Sequence, residues 1–178
     1  YSHFKVLHSN KTQGIKTYAR IDNAAQLTPA LNSCDMIIVP IDINLEELKE
    51  YKNIAVELPR GISNESYVLT RLLAFKEKGI TTAFCSTLTA GELAKTAGFN
   101  TVSHYGFNVF NSYSARYHKN MGATAVVLSP ELLLRDAAKI SVACPKGIIS
   151  YGRLPLMLTR NCPVKNKIGC AECKEQKH

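Results

Sequence analysis

The sequence lacks several features that would place it in a membrane or secreted class. No run of about 18 apolar residues occurs in the 178-residue chain, so no transmembrane helix is expected. The first residues carry neither a signal-peptide hydrophobic region nor an initiator methionine, which indicates a processed chain or a piece of a larger protein. Six cysteines are too sparse for a secreted disulfide scaffold. These absences predict a cytoplasmic protein.

Common catalytic and nucleotide-binding motifs are absent as well. The chain has no G-x-G-x-x-G fingerprint and no P-loop, so the usual dinucleotide and nucleoside triphosphate sites are not expected. It also lacks the H-E-x-x-H helix of zinc proteases and the G-x-S-x-G nucleophile elbow. Any chemistry must therefore depend on residues outside these motifs.

Positive charge is concentrated near the C-terminal end. The whole chain has a formal net charge of +8, and residues 139–178 contain eight Lys and Arg against two Glu, which gives +6. A basic surface of this kind can bind a polyanion, and RNA is the obvious candidate partner. A solvated tail with no partner is the alternative.

Seven short, apolar runs rich in β-branched residues recur along the chain, and helix-like segments lie between them. This alternation predicts an α/β fold with a parallel sheet covered by helices. Seven strands favour either a (β/α)-barrel-like architecture or a doubly wound sheet. A complete barrel usually needs about 250 residues, so a barrel here is lean or incomplete. The predicted strands are Lys16–Ile21, Met36–Ile41, Ile54–Leu58, Ile80–Cys85, Thr101–Tyr105, Ala125–Leu128 and Gly147–Tyr151.

The same pattern divides the chain into an N-terminal extension (1–15), a βα-repeat domain (16–152) and a basic, cysteine-rich segment (153–178). Helix starts are signalled by capping residues, and one helix end is marked by Gly79 after two lysines. The predicted starts are at Asp22–Asn23, Asn44, Ser63–Glu65, Thr89 and Ser129–Glu131.

Polar residues follow several predicted strands, where chemistry gathers in both candidate architectures. Glu57 lies in an apolar strand and needs a partner, which Arg60 or an arginine from a neighbouring strand could supply. With His104 and Asn108, these residues are the candidate catalytic set. The alternatives are an ion pair that only orients loops and a histidine that only satisfies buried polar groups. Other strand-end residues are Arg20, Asp22, Asp42, Cys85, Ser86, Ser129 and Glu131.

Three cysteines near the C-terminal end have the spacing of metal ligands. Cys170 and Cys173 form a C-x2-C pair, Gly169 precedes them, and Cys162 lies eight residues earlier. Nearby cations would lower the pKa of such thiols, and either zinc or an iron–sulfur cluster fits them. A fourth ligand could be Cys144, Cys85, a non-cysteine residue or a group outside the chain. A reduced C-x2-C in a tail is the alternative.

Several segments resemble peptidase family U32, the collagenase-like proteases. The segments are "SHYGFNVFNSYSARYHKNMGATAVVLSPEL" (Ser103–Leu132), "YGRLPLMLTRNCPVKNKIGCAEC" (Tyr151–Cys173) and "ELPRGIS" (Glu57–Ser63), and the likeness extends over Lys16 to Cys173. It implies a (β/α)-barrel-like catalytic domain. It also implies peptidase activity or, as in some members, oxygen-independent hydroxylation of RNA or of a ubiquinone precursor.

The hydroxylating members hold a 4Fe–4S cluster through four cysteines, and Cys162, Cys170 and Cys173 match three of them. The family's opening strand is not recognisable and the family usually continues beyond this chain's end, so a C-terminal fragment of a larger member is expected, with the cluster in the intact protein. Three hypotheses stand. They are an iron–sulfur hydroxylase acting on RNA or a small molecule, a peptidase acting on unstructured peptides, and a non-catalytic binding module. For a peptidase, Cys85–Ser86 with His104 is the nucleophile–base pairing available.

Overall fold

A computed structural model of the chain describes residues 14–155, Cys162 and Lys167. Most of the proposed N-terminal extension and of the cysteine-rich segment, including Cys170 and Cys173, lies outside these described residues. Seven strands are present, and each overlaps one of the apolar runs that predict it. They are β1 Tyr18–Arg20, β2 Met36–Pro40, β3 Ile54–Glu57, β4 Thr82–Cys85, β5 Asn100–Ser103, β6 Ala125–Val127 and β7 Lys146–Gly147.

The strands form one sheet in sequence order, and every neighbouring pair is parallel. A doubly wound sheet would reverse its strand order at a switch point, and this one does not. The sheet curls strongly into a half-barrel. The α/β, (β/α)-barrel-like prediction is therefore confirmed, and of its two architectures the structure selects the incomplete barrel.

Within the described residues, one α-helix precedes each strand from β4 to β7: α1 Glu65–Glu77, α2 Leu88–Thr96, α3 Ser112–Asn120 and α4 Leu134–Lys139. The start of α1 agrees with the sequence, because the Asn64 side chain accepts a hydrogen bond from the Tyr67 amide. Its end at Gly79, with a φ of 81°, also agrees.

Other helix predictions need correction. Helix α2 is capped by Thr87 and not Thr89, and α4 begins at Leu134, after a turn in which the Ser129 hydroxyl accepts from the Glu131 amide. The first two connections contain only short 3-10 segments, Ala24–Gln26, Pro29–Ser33 and Leu45–Leu48. Pro29 explains the first break, since proline has no amide hydrogen to continue a helix.

Alternation along the strands gives the sheet two buried faces. The outer face presents residues such as Val39, Val56 and Ala83 to Leu72 and Phe75 of α1, and this forms the largest apolar cluster. The inner face forms a second cluster to which the α-helices contribute no residue: Ile38, Ala55, Phe84, Val102, Tyr105 and Val127. The inner cluster fills the half-barrel, so polar residues on this face are confined to the strand ends.

Among the described residues, no helix is long and apolar enough to cross a membrane.

Candidate active site

Glu57 ends strand β3 on the inner face and is the centre of a charged network. Its Oε2 accepts a hydrogen bond from Arg20 Nε at 2.6 Å, and Arg20 also reaches Asp22 Oδ1 at 2.6 Å. The Glu57 side chain is only 10% exposed, whereas that of Asp22 is 68% exposed. The buried carboxylate thus has its partner, and the partner is Arg20 from β1, not Arg60.

The register of the sheet explains why Arg20 can reach Glu57 across β2. Arg20 pairs with Ile38 of β2, Ile38 pairs with Ala55 of β3, and Glu57 lies two residues further along β3 on the same face. Alternation directs Arg20, Ile38 and Glu57 to the inner side together. The long guanidinium side chain therefore spans one strand along the curled wall.

His104 follows β5 and brings an imidazole to the same carboxylate. Its Nδ1 lies 3.2 Å from Glu57 Oε1, although the angle at the ring nitrogen is not that of an aligned hydrogen bond. The ring is held edge-on by Phe84, 5.3 Å away between centroids, and by Tyr105, 4.6 Å away. Nδ1 is enclosed, and the His104 side chain as a whole is only 5% exposed.

The charges of this cluster shift the pKa values of Arg20 and Tyr105. Burial opposes the charge of Arg20, but the Glu57 and Asp22 carboxylates outweigh it and raise the pKa of the guanidinium. Burial also raises the pKa of the Tyr105 phenol, and the Glu57 charge adds to this effect. Tyr105 therefore remains a hydroxyl donor at neutral pH. Sequence reasoning did not single out Tyr105; its position directly after His104 was the signal available.

Below His104 the packing leaves no room for a side chain at Gly106. A Cβ at this position would lie 2.5 Å from the Ser86 Cβ and 2.9 Å from the Ser86 carbonyl oxygen. Ser86 is the next residue after β4, beside His104 in the extended register, and its hydroxyl is enclosed without a partner among the described residues. The close contact of Gly106 with Ser86 fixes the turn that carries His104 and Tyr105.

The other two candidate residues lie on the surface. Arg60 is exposed in the β3–α1 loop, three residues after Glu57, and its positive charge opposes the rise in the pKa of Tyr105. Asn108 is exposed in a left-handed turn with φ 50° and ψ 52°, and its backbone N–H donates a hydrogen bond to the Tyr105 carbonyl. The described contacts connect Asn108 to this turn and not to Glu57 or His104, so its part in chemistry stays a prediction.

Cys85 and His104 lie on opposite faces of the sheet. Cys85 packs in the outer cluster with the helices, while His104 contacts the inner residue Phe84. Burial raises the pKa of the Cys85 thiol to about 12, so the thiolate needed for attack is scarce at neutral pH. The geometry gives no support to a Cys85–His104 nucleophile–base pair.

A different histidine lies on the outer side. His118 of α3 is buried, and its Nδ1 lies 3.2 Å from the Ser103 hydroxyl of β5. Burial lowers the pKa of this imidazole, which favours the neutral ring. Sequence reasoning missed the Ser103–His118 pair, because the helix α3 that carries the histidine had no recognised start signal.

Of the three cysteines predicted to bind a metal, the structure describes only one. Cys162 is an exposed free thiol, and Cys170 and Cys173 lie outside the described residues. Within the part of the chain that the structure describes, no three Cys, His, Asp or Glu residues are grouped closely enough for a metal ion. Cys85 and Cys144 both have pKa values raised by burial, which disfavours them as a fourth thiolate ligand.

The chain matches no known protein-family model, and no curated protein sequence matches it significantly.

Proposed function

We propose that this chain is part of a U32-like enzyme that hydroxylates RNA or a small molecule. Its reaction centre lies on the inner face of the sheet, at the carboxyl ends of β3 and β5. The observation that carries the proposal is the buried Glu57–His104 contact, in which Oε1 of the carboxylate lies 3.2 Å from Nδ1 of the imidazole. A carboxylate behind one ring nitrogen is the arrangement that orients a general base, and the proposal takes Nε2 as the nitrogen that meets the substrate.

In this proposal each residue has a separate task. His104 exchanges a proton with the substrate at Nε2, since Nδ1 faces Glu57 and is not accessible. The charge of Glu57, 3.2 Å from Nδ1, favours the neutral ring with its proton on Nδ1 and stabilises the imidazolium when it forms. Arg20 keeps the Glu57 side chain in place through the 2.6 Å hydrogen bond. Arg20 and Glu57 are positioning residues, whereas His104 touches the substrate.

The thiols would hold the cofactor. Cys162, Cys170 and Cys173 would be three ligands of a 4Fe–4S cluster, or of zinc, and the exposed free thiol of Cys162 suits such a ligand. A bound iron–sulfur cluster would supply electron transfer or Lewis-acid chemistry to the reaction. The surrounding basic segment would balance the charge of the thiolates and attract an anionic substrate.

Two experiments test the proposal together. After anaerobic reconstitution with iron and sulfide, the intact protein that contains this chain should retain iron and its Cys170→Ser, Cys173→Ser variant should not. RNA from bacterial cells that express the intact protein should contain more hydroxylated pyrimidine than RNA from cells that express its His104→Gln variant. Equal iron retention by the wild type and the cysteine variant would rule out these cysteines as cluster ligands. Hydrolysis of gelatin by the wild type without RNA hydroxylation would favour the peptidase hypothesis.

A further inference from the structure

The turn that carries His104 is held from the outer side of the sheet by one side chain of α3. Strand β5 ends at Ser103, and the turn continues through His104 to Phe107. The buried imidazole of His118 contacts both ends of this segment. Its Nδ1 lies 3.2 Å from the Ser103 hydroxyl, and its ring centroid lies 4.4 Å from that of Phe107. His118 therefore touches the residue before His104 and the residue three positions after it.

The two ends of this segment face the outer side of the sheet, whereas His104 faces inward. Val102 belongs to the inner cluster, so Ser103 points outward by alternation. Phe107 packs against the outer apolar clusters. Between them, the His104 ring meets Glu57 on the inner face. Because the chain passes from the outer face to the inner face and back within five residues, a contact on the outer face fixes the point from which the His104 ring extends.

Helix α3 is anchored by contacts of its own. The Asn111 side chain accepts a hydrogen bond from the Ser114 amide at the start of the helix. The Ser112 hydroxyl accepts another from the Ser141 amide, beyond α4. Ala115 is completely buried in the apolar cluster that α3 forms with β6. The position of the imidazole that α3 carries is therefore set by contacts other than those with the turn.

The chemistry of the Ser103–His118 pair suits a permanent link. Burial lowers the pKa of the imidazole, so the neutral ring predominates at pH 7 and bonds to the hydroxyl without leaving a buried charge. The Ser103 hydroxyl is buried as well, so loss of its partner would leave a polar group unsatisfied. The ordinary alternative is a core histidine that satisfies Ser103 and contributes to stability alone.

We propose that His118 is a positioning residue for His104. By holding Ser103 and Phe107 on the outer face, it sets the direction in which the turn between them presents its imidazole to Glu57. The inference rests on the proposed function only for the role of His104 toward a substrate, since the orientation of the ring can be measured without one. It makes α3 part of the site through a residue that does not touch the substrate.

Substitutions that remove one contact at a time test the inference in the 178-residue chain. His118→Asn keeps a polar atom near the position of Nδ1 but removes the ring, whereas His118→Phe keeps a ring against Phe107 but removes the hydrogen bond. The readout is the ratio of the two neutral tautomers of His104, taken from its side-chain ¹⁵N chemical shifts. Each variant should change this ratio by about threefold or more, as expected when one polar contact is weakened, and His118→Ala should change it further. The two single-contact variants decide the question even where His118→Ala does not fold.

Ile80→Ala is the matched control for stability. Ile80 is buried in the outer cluster two residues before β4, at the amino end of the sheet, whereas His104 follows the carboxyl end of β5. Loss of this core side chain should lower the melting temperature at least as much as the His118 substitutions and leave the tautomer ratio at its wild-type value. The inference is overturned if His118→Asn and His118→Phe both keep the wild-type ratio, or if Ile80→Ala changes it equally. The comparison holds whichever nitrogen of His104 carries the proton in the wild type, so it can succeed or fail independently of the iron and RNA measurements.

Discussion

The link between Arg20 and Glu57 should be worth about 2 kcal/mol of folding free energy. Fully exposed ion pairs contribute about 0.2–1 kcal/mol, and breaking a buried pair costs about 3–5 kcal/mol. This pair is intermediate, since the Glu57 side chain is 10% exposed and the Arg20 side chain 33% exposed. For a chain of this length, about 2 kcal/mol corresponds to a fall in melting temperature of roughly 4–8 °C.

A double-mutant cycle measures this energy directly. Arg20→Met, Glu57→Gln and the double variant are unfolded with urea, and the coupling energy is taken from the four unfolding free energies. Asp22→Asn is the matched control, because its carboxylate also contacts Arg20 at 2.6 Å but is 68% exposed, and it should cost less than about 1 kcal/mol. The reasoning is refuted if the Arg20–Glu57 coupling is below about 0.5 kcal/mol, or if Asp22→Asn costs as much as Glu57→Gln.

Three further predictions concern the rest of the fold. Burial lowers the pKa of His118 in the folded chain, so the unfolded chain binds the proton at a higher pH than the folded chain does. The free energy of unfolding should therefore fall as the pH drops below about 6.5. In urea unfolding measured from pH 8 to pH 5, a His118→Gln variant should show a weaker dependence of this free energy on pH. Iodoacetamide at pH 8 should label Cys162 and spare Cys85 in the native chain, as mass mapping would show, and native labelling of Cys85 would contradict its burial. Gly106→Ala should destabilise the chain by about 1–3 kcal/mol because its Cβ has no room, whereas Gly91→Ala, with nothing within 4 Å, should be neutral or stabilising; equal effects in thermal denaturation would refute the packing argument.

Strands β2 to β6 were predictable because each overlaps a short apolar run between polar segments, whereas β7 at Lys146–Gly147 meets its predicted run Gly147–Tyr151 at only one residue. Helix α1 was predictable for a similar local reason: Asn64 caps its first turn and Gly79 adopts the positive φ that ends it. The segment after β1 was harder, because its apolar periodicity suggests a helix while Pro29 permits only short 3-10 turns. Local signals were reliable where capping and periodicity agreed and unreliable where they conflicted.

The site was only partly predictable, because its contacts depend on register and curvature. The sequence indicated that Glu57 needs a cation, yet it could not distinguish Arg60, three residues away, from Arg20, 37 residues away. That choice depends on the pairing of β1, β2 and β3, which places Arg20 and Glu57 on one face. Likewise, alternation separates Phe84 from Cys85, but only the packed helices show which of the two faces inward.

The central claim is that Glu57 orients His104 so that Nε2 is the working nitrogen. The most direct measurement is the tautomer of the neutral His104 ring, read from its side-chain ¹⁵N chemical shifts in the wild-type chain and in Glu57→Gln. The account predicts that the wild-type ring carries its proton on Nδ1, facing the carboxylate 3.2 Å away, and that Glu57→Gln loses this preference. A wild-type ring protonated on Nε2, or the same tautomer in both chains, would contradict it.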